Sequence, residues 1–249
     1  MSLRLLDLAA VQPGHRVLDL ATGIGEPALT AAQRVGQSGH VVAADLSPRM
    51  LDIARERAVD LHLYNVTFVQ AGLDALALAG DRFDAVLCRW GVTLLPDLPR
   101  TLRIVRRLLG PTATFATADW ERGPRARPLA SLALSLAQQM FSPAQSPDPP
   151  AAEIPSVAQA LTEEMHAAGF RDVRTEEHSI TLHFRSVEAC VQYLQDVSPS
   201  LSTLLADRTE HDVRDYTARL SLQLEPFTLP GGDLRIPNVT LCTAGSADS

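Results

Sequence analysis

A chain of 249 residues, 46% hydrophobic and 20% charged, can bury one large core with a modest insertion but not two full catalytic domains, and it reads as neither disordered nor fibrous. Its net charge of −7 argues against a broad nucleic-acid footprint, which needs clustered cations, and because all 22 basic residues are arginine, P-loop lysine and Schiff-base chemistry are both excluded. No apolar run reaches the roughly 18 residues of a bilayer span, and residues 1–10 lack the ordered parts of a secretion signal, so a cytoplasmic location is expected.

From His15 to Asp119, short apolar runs rich in valine and leucine alternate with longer segments of helical spacing, the pattern of a parallel sheet wrapped by helices. Strands are expected at Arg16 to Leu20, Val41 to Asp45, Thr67 to Gln70, Asp84 to Cys88 and Thr112 to Ala118. Helices begin near Pro27, at Ser47 as an N-cap followed by Pro48, and near Leu98. After Asp119 seven prolines between Gly123 and Pro155 surround one helical segment, Leu129 to Met140, which reads as a loop and cap. A helix over Val157 to Ala168, a long strand over Val173 to Phe184, two or three helices over Val187 to Leu224 and a last strand over Leu234 to Thr243 complete the chain.

The expected fold class is α/β, a doubly wound, mostly parallel seven-stranded sheet with helices on both faces and a helical cap insertion. It is read as a single domain over residues 1–249, with a core of about 1–122, 155–185 and 232–245 and cap segments of about 123–154 and 186–231. The basic runs Arg103 with Arg106 and Arg107, and Arg122 with Arg125 and Arg127, read as solvated faces. Cys88, Cys190 and Cys242 are odd in number and sit among apolar neighbours, as buried reduced thiols do, and the histidines show no metal-ligand spacing.

The segment from Val17 to Pro27, Val-Leu-Asp-Leu-Ala-Thr-Gly-Ile-Gly-Glu-Pro, places two glycines after a strand and before a helix, so a ligand can approach bare backbone beside a positive helix end. Gly23, Gly25 and Ala28 also fit a loose dinucleotide fingerprint, which keeps a nicotinamide-dependent oxidoreductase open. Asp19 adds negative charge beside that loop, which suits a ligand carrying ammonium and sulfonium groups better than a pyrophosphate. Asp45 ends the second strand, where a carboxylate can accept both ribose hydroxyls of an adenosine. Met50, one turn along the next helix, has two readings: cover for an adenine face, or core packing.

Three stretches, Val17 to Leu29, Asp45 to Ala58 and Phe83-Asp-Ala-Val-Leu-Cys-Arg-Trp-Gly-Val-Thr-Leu-Leu-Pro-Asp, resemble the Rossmann-like class I methyltransferases of the ubiquinone/menaquinone-biosynthesis type. Weaker echoes are Ala168-Gly-Phe-Arg-Asp-Val and the run from Ile236 to Gly245. The resemblance implies S-adenosylmethionine as cofactor, S-adenosylhomocysteine as its product and no metal. It implies that Asp19, Ala21, Thr22, Gly23 and Gly25 hold the methionine part, that Asp45 takes the ribose, and that Leu46 and Met50 flank adenine. Gly72, Leu73 and Asp74 would lie along the adenine edge, and Arg89 and Trp90 would border the sulfur and the acceptor. Gly72 departs from the acidic residue that such enzymes usually carry, which passes that role to Asp74 or leaves adenine held less tightly. The first strand also starts near residue 16, where relatives carry several tens of residues before it. That leaves an unusually open site, a site completed by another subunit, or a truncated reading frame.

Methyl transfer to a small, hydrophobic or aromatic acceptor by direct displacement is therefore the expected function. A binding protein that does not methylate, cyclase-like or regulatory, is the alternative, and the oxidoreductase comes third. Asp119, Trp120 and Glu121 after the fifth strand, with Arg89 for an anionic substrate, are the candidates facing the acceptor, while His166, His178 and His183 read as surface or packing residues. No catalytic residue is assigned. The expected partner is a small-molecule substrate, and a homodimer is compatible with the sequence.

Overall fold

A computed structural model describes residues 1–78, 82–92, 97–121, 129–142 and 156–247, the side chains of residues 77, 78, 197 and 199 excepted. The chain begins with α1 (Ser2–Leu8) and continues β1 (Arg16–Leu20), α2 (Ala28–Val35), β2 (His40–Asp45), α3 (Pro48–Asp60), β3 (Val66–Gln70), α4 (Leu73–Leu78), β4 (Phe83–Arg89), α5 (Leu98–Leu108) and β5 (Leu109–Trp120). It goes on through α6 (Leu129–Phe141), α7 (Val157–Ala167), β6 (Arg171–Phe184), α8 (Val187–Val197), α9 (Pro199–Ala206), α10 (Glu210–Leu224), a 3-10 turn (Glu225–Phe227) and β7 (Leu234–Ser246). The prolines flanking α6 that the sequence reading assigns to loop and cap, together with Arg122, Arg125 and Arg127, lie outside the described residues.

The seven strands form one sheet in the order β3-β2-β1-β4-β5-β7-β6. The pairs β1 with β2, β1 with β4, β2 with β3 and β4 with β5 are parallel, with Asp19 level with Ala43 on one side and Leu87 on the other. Strand order reverses between β1 and β4, so the loops leaving their carboxyl ends turn away from each other, and the crevice this opens is where ligands of such sheets bind. Local chemistry sets the elements. Four of the five β1 residues are buried, as a strand covered on both faces requires. Ser47 caps α3 by accepting the Met50 amide at 3.3 Å with Pro48 in the first turn, and Asp97 caps α5 by accepting the Arg100 amide at 2.8 Å. In α5 the buried Thr101, Leu102, Val105 and Leu108 recur at the spacing of one helix face.

The chain divides into two compact units. The first comprises residues 1–120, 157–177 and 241–249. One of its apolar clusters joins Leu5, Leu6 and Leu8 of α1 to Ala28, Ala31 and Val35 of α2 and Ala116 and Ala118 of β5, and the other joins Leu102, Val105 and Leu108 of α5 to Leu161 and Met165 of α7. The second comprises residues 121–156 and 178–240, where α6, α8, α9 and α10 enclose Leu136, Cys190, Leu201, Tyr216 and Leu220. There the buried Tyr216 hydroxyl donates to the Ala133 carbonyl at 3.0 Å, which satisfies its one polar group.

Two helices, α1 and α4, stand where the sequence periodicity shows none, because runs of 7 and 6 residues are too short to display a helical repeat. Helix α2 begins at Ala28 rather than Pro27, which is its N-cap and follows a cis peptide bond. All three cysteines are free and buried, and burial pushes the Cys190 thiol up to about 12 and the Cys242 thiol up to about 11.

Candidate functional site

The loop from Ala21 to Pro27 sits at the carboxyl end of β1 and is held from below by Asp19. That carboxyl is fully buried; its Oδ2 accepts the Thr22 hydroxyl at 2.6 Å and the Ala28 amide, at the start of α2, at 2.9 Å. Its Oδ1 has no hydrogen-bond partner among the described residues. Burial raises the Asp19 pKa to about 7, against the pull of the Thr22 and Ala28 bonds and of the Arg89 charge. An acceptor atom left orphaned at a strand end is costly and marks a place where a donor is missing.

The loop folds back tightly. Ala21, Gly23 and Gly25 take φ of 54°, 55° and 102°, and the Gly25 and Glu26 amides both donate to the Thr22 carbonyl, at 2.9 and 3.2 Å. A Cβ on Gly25 would stand 2.9 Å from Leu29 and 3.3 Å from Ala54, so this position is closed to side chains by space as well as by conformation. At the end of β2, the two oxygens of Asp45 accept the Gly23 amide and the Ser47 amide, each at 2.8 Å. Asp45 therefore fixes the glycine loop and the entry to α3 together, a structural role that the sequence reading does not contain. Each of its oxygens keeps a second lone pair for a further donor.

Beside Asp45 the surface turns apolar. Leu46 is 69% exposed and Met50 41%, with Ile24 of the glycine loop also exposed. This decides between the two readings of Met50: it is not core. A Cβ on Gly23 would meet the Met50 sulfur at 3.8 Å and one on Gly72 a Leu46 methyl at 3.6 Å, so Met50 lies beside Gly23 and Leu46 beside Gly72. Leu73 packs into the α5 side of the core. Asp74 is engaged elsewhere, because its Oδ1 accepts Arg100 of α5 at 2.8 Å, with both side chains more than half exposed.

On the other side of the crevice stand the residues after β4. Trp90 is left-handed at φ 58°, donates its amide to the Ala118 carbonyl at 2.6 Å, and stacks on Trp120 with centroids 4.7 Å apart and planes 9° from parallel. The Arg89 guanidinium lies 4.6 Å from the centre of the Trp90 ring. A Cβ on Gly91 would be 2.8 Å from the Ala21 Cβ and 2.9 Å from the Cys88 sulfur, so the turns after β1 and β4 touch through a glycine. Of the residues the sequence offers to an acceptor, Asp119 is fully buried and accepts the Thr117 hydroxyl at 2.8 Å, and Glu121 accepts Ser156 at 2.8 Å. His166 and His183 are exposed and His178 half-buried. Among the described residues no group of three or more histidine, cysteine or acidic side chains could hold a metal ion, and no helix is long and apolar enough to cross a membrane. Gly91 and Ile24 belong to this site and escape the sequence reading, since nothing local marks a glycine as needed for a contact with a distant loop.

Residues 17–112, the stretch that holds the glycine loop, Asp45 to Met50, Gly72 to Asp74 and Arg89 to Gly91, match the family described as methyltransferase domain. That stretch is similar to methyltransferase domains. The chain is 34% identical over 118 residues to the ubiquinone/menaquinone biosynthesis C-methyltransferase UbiE of Pasteurella multocida, covering 47% of this chain and 44% of that protein. It is 36% identical over 112 residues to the 2-phytyl-1,4-naphtoquinone methyltransferase of Nostoc sp. strain PCC 7120, covering 45% and 49%. The chain spans about half the length of these curated relatives. Among solved structures it superposes on the YcgJ protein of Bacillus subtilis with a TM-score of 0.62 at 16% identity, covering 100% of this chain and 98% of that one. It superposes on phosphoethanolamine N-methyltransferase 2 of Haemonchus contortus with a TM-score of 0.59 at 19% identity, covering 100% and 52%. These likenesses establish the fold, a Rossmann-like seven-stranded sheet.

Proposed function

We propose that the chain is an S-adenosylmethionine-dependent methyltransferase acting on a small hydrophobic or aromatic molecule. The observation that carries this reading is the fully buried Asp19 carboxyl, with one oxygen orphaned, under a left-handed glycine loop in the stretch similar to methyltransferase domains. A buried carboxylate there favours a ligand with positive charge and opposes a pyrophosphate, so the same loop is a poor seat for a nicotinamide dinucleotide.

In this proposal Asp19, Ala21, Thr22, Gly23 and Gly25 hold the methionine part, and the free lone pairs of Asp45 take the ribose hydroxyls. Leu46 and Met50 lie against adenine, with Gly72, Leu73 and the Asp74 backbone at its edge. Arg89 and Trp90 border the sulfur and the acceptor. The cofactor supplies an activated methyl group, so the protein's part is alignment and exclusion of water. An apolar acceptor is supported by the composition of α6, Leu-Ala-Ser-Leu-Ala-Leu-Ser-Leu-Ala, and by the names of the quinone-pathway relatives. We place acceptor choice in the helical segments within residues 123–154 and 186–231, the rest of the single domain being the cofactor-binding core. A homodimer and a cytoplasmic location are carried as parts of the same proposal, to be read by light scattering and by cell fractionation.

The test is incubation of the protein with methyl-labelled S-adenosylmethionine and host extract, followed by mass spectrometry. The proposal expects an extract molecule to gain one labelled methyl. Binding of the cofactor with no methylated product from any fraction would instead favour a protein that binds without transferring.

A further inference from the structure

The glycine loop is not held by its own turn alone. Its left-handed Ala21 rests against Gly91, at a distance that no larger residue permits, and Gly91 follows the left-handed Trp90. A left-handed tryptophan is a conformation that the residue does not choose, so surrounding contacts must impose it. The structure shows those contacts: the hydrogen bond from the Trp90 amide to the Ala118 carbonyl, the guanidinium of Arg89 over the ring, and the parallel stack on Trp120. Trp120 ends β5, one strand further from the glycine loop than β4, and stands outside the segment that matches the methyltransferase domain family.

We infer that Trp120 is a positioning residue for the cofactor loop: by stacking on Trp90 it fixes the turn whose Gly91 supports Ala21. The chain of contact runs from Trp120 to Trp90, through the peptide to Gly91, and on to Ala21. This rests on the proposed role of the glycine loop in binding S-adenosylmethionine. It adds a residue outside the set proposed to hold the cofactor and makes the affinity of one loop depend on an aromatic stack whose far ring ends β5, two strands away.

The test is calorimetric titration with S-adenosylhomocysteine, beside near-ultraviolet circular dichroism, which is selective here because the chain has only 2 tryptophans and they form this stack. Trp120→Ala is expected to abolish the stacked-indole signal and weaken binding about 2- to 30-fold, the span of couplings carried by residues that do not touch the ligand. Trp120→Phe keeps a flat ring and should bind within about 2-fold of wild type. Trp120→Leu, which keeps apolar bulk without a flat ring, asks the same question should alanine unfold the chain. Gly91→Ala should weaken binding through the same contact, so Trp120→Ala and Gly91→Ala combined should cost less than the product of their separate effects. Phe170→Leu, at the Phe115 contact in the core, controls for lost stability and should leave affinity unchanged. Wild-type affinity in Trp120→Ala and Trp120→Leu, equal losses in the alanine and phenylalanine variants, or fully multiplicative effects with Gly91→Ala would each overturn the inference while the cofactor reading stands. Failure of the wild-type protein to bind would overturn the cofactor reading and the inference together.

Discussion

The strand-end loops of the first unit and the helices of the second are built by different means. In the first, the chain is forced: Ala21 and Trp90 are left-handed, Gly25 and Gly91 sit where a Cβ would collide, and a buried carboxyl goes half-satisfied. All five described non-glycine residues with positive φ lie in this unit. In the second, α8, α9 and α10 start from ordinary serine or threonine caps, Tyr216 has its hydrogen bond, and the core is apolar side-chain packing. Strain persists only where the surroundings over-determine it, and Ala21 and Trp90 follow β1 and β4, on either side of the crevice. The family match, residues 17–112, falls wholly within the strained unit. Geometry under constraint tolerates few residue types and leaves a motif, whereas packing tolerates many and leaves only a pattern.

The sharpest way to break this contrast is a pair of substitutions of similar cost. Gly25→Ala meets both a disfavoured conformation and the Leu29 and Ala54 side chains, and should destabilise by about 2 to 5 kcal/mol. Leu220→Ala empties a fully buried position among α6, α8 and α10 and should cost a similar amount, about 2 to 5 kcal/mol. Thermal unfolding measures both. In the folded fraction, Gly25→Ala should lose S-adenosylhomocysteine binding and Leu220→Ala should keep it, and matching losses of binding would erase the distinction.

Asp19 sharpens the comparison through pH. A carboxyl raised to about 7 in the folded state stays protonated there after its unfolded counterpart has ionised. The stability it lends is thus present below about pH 4 and is lost as pH rises through about 7, a difference on the order of 4 kcal/mol at most. Asp19→Asn should flatten the part of the melting profile between about pH 4 and 7, where the unfolded carboxyl is ionised and the folded one still protonated. A cationic ligand should bind more tightly as pH rises across this range, with protons released at about pH 6, countable in buffers of different ionisation enthalpy. A ligand-free melting profile that Asp19→Asn leaves unchanged would remove the buried carboxyl from the account.

The smallest effect belongs to Asp74. Its pair with Arg100 is exposed on both sides, so Asp74→Ala should change stability by less than about 1 kcal/mol. If only its backbone lies at the adenine edge, cofactor affinity should stay within about 2-fold, below 0.5 kcal/mol. A tenfold loss in titration would mean that the carboxylate leaves Arg100 for the ligand.

How far these features were legible follows from their range along the chain. The strand Arg16–Leu20 and the cap at Ser47 depend on neighbours a few residues away, and the sequence places both correctly. The glycine loop with Asp19 and Asp45 was legible as a spacing. That Asp45 already accepts the Gly23 and Ser47 amides was not, because spacing does not say which donors a carboxylate has. Trp90 carries no local sign that it is left-handed, and the approach of Gly91 to Ala21 links residues 70 apart. Asp74, assigned to adenine on its position in a family pattern, has its carboxylate taken by an arginine of the next helix.

The central claim, that the crevice between β1 and β4 binds an adenosyl sulfonium cofactor, is tested most directly by calorimetric titration of wild type and Asp45→Ala with S-adenosylhomocysteine and with NAD. Because Asp45 also holds Gly23 and Ser47, thermal unfolding must accompany it, and some loss of stability is expected. The account predicts binding of S-adenosylhomocysteine by wild type, about 10- to 150-fold weaker binding by Asp45→Ala, and no measurable affinity for NAD. Equal affinity of wild type and Asp45→Ala, or tight binding of NAD, would contradict it.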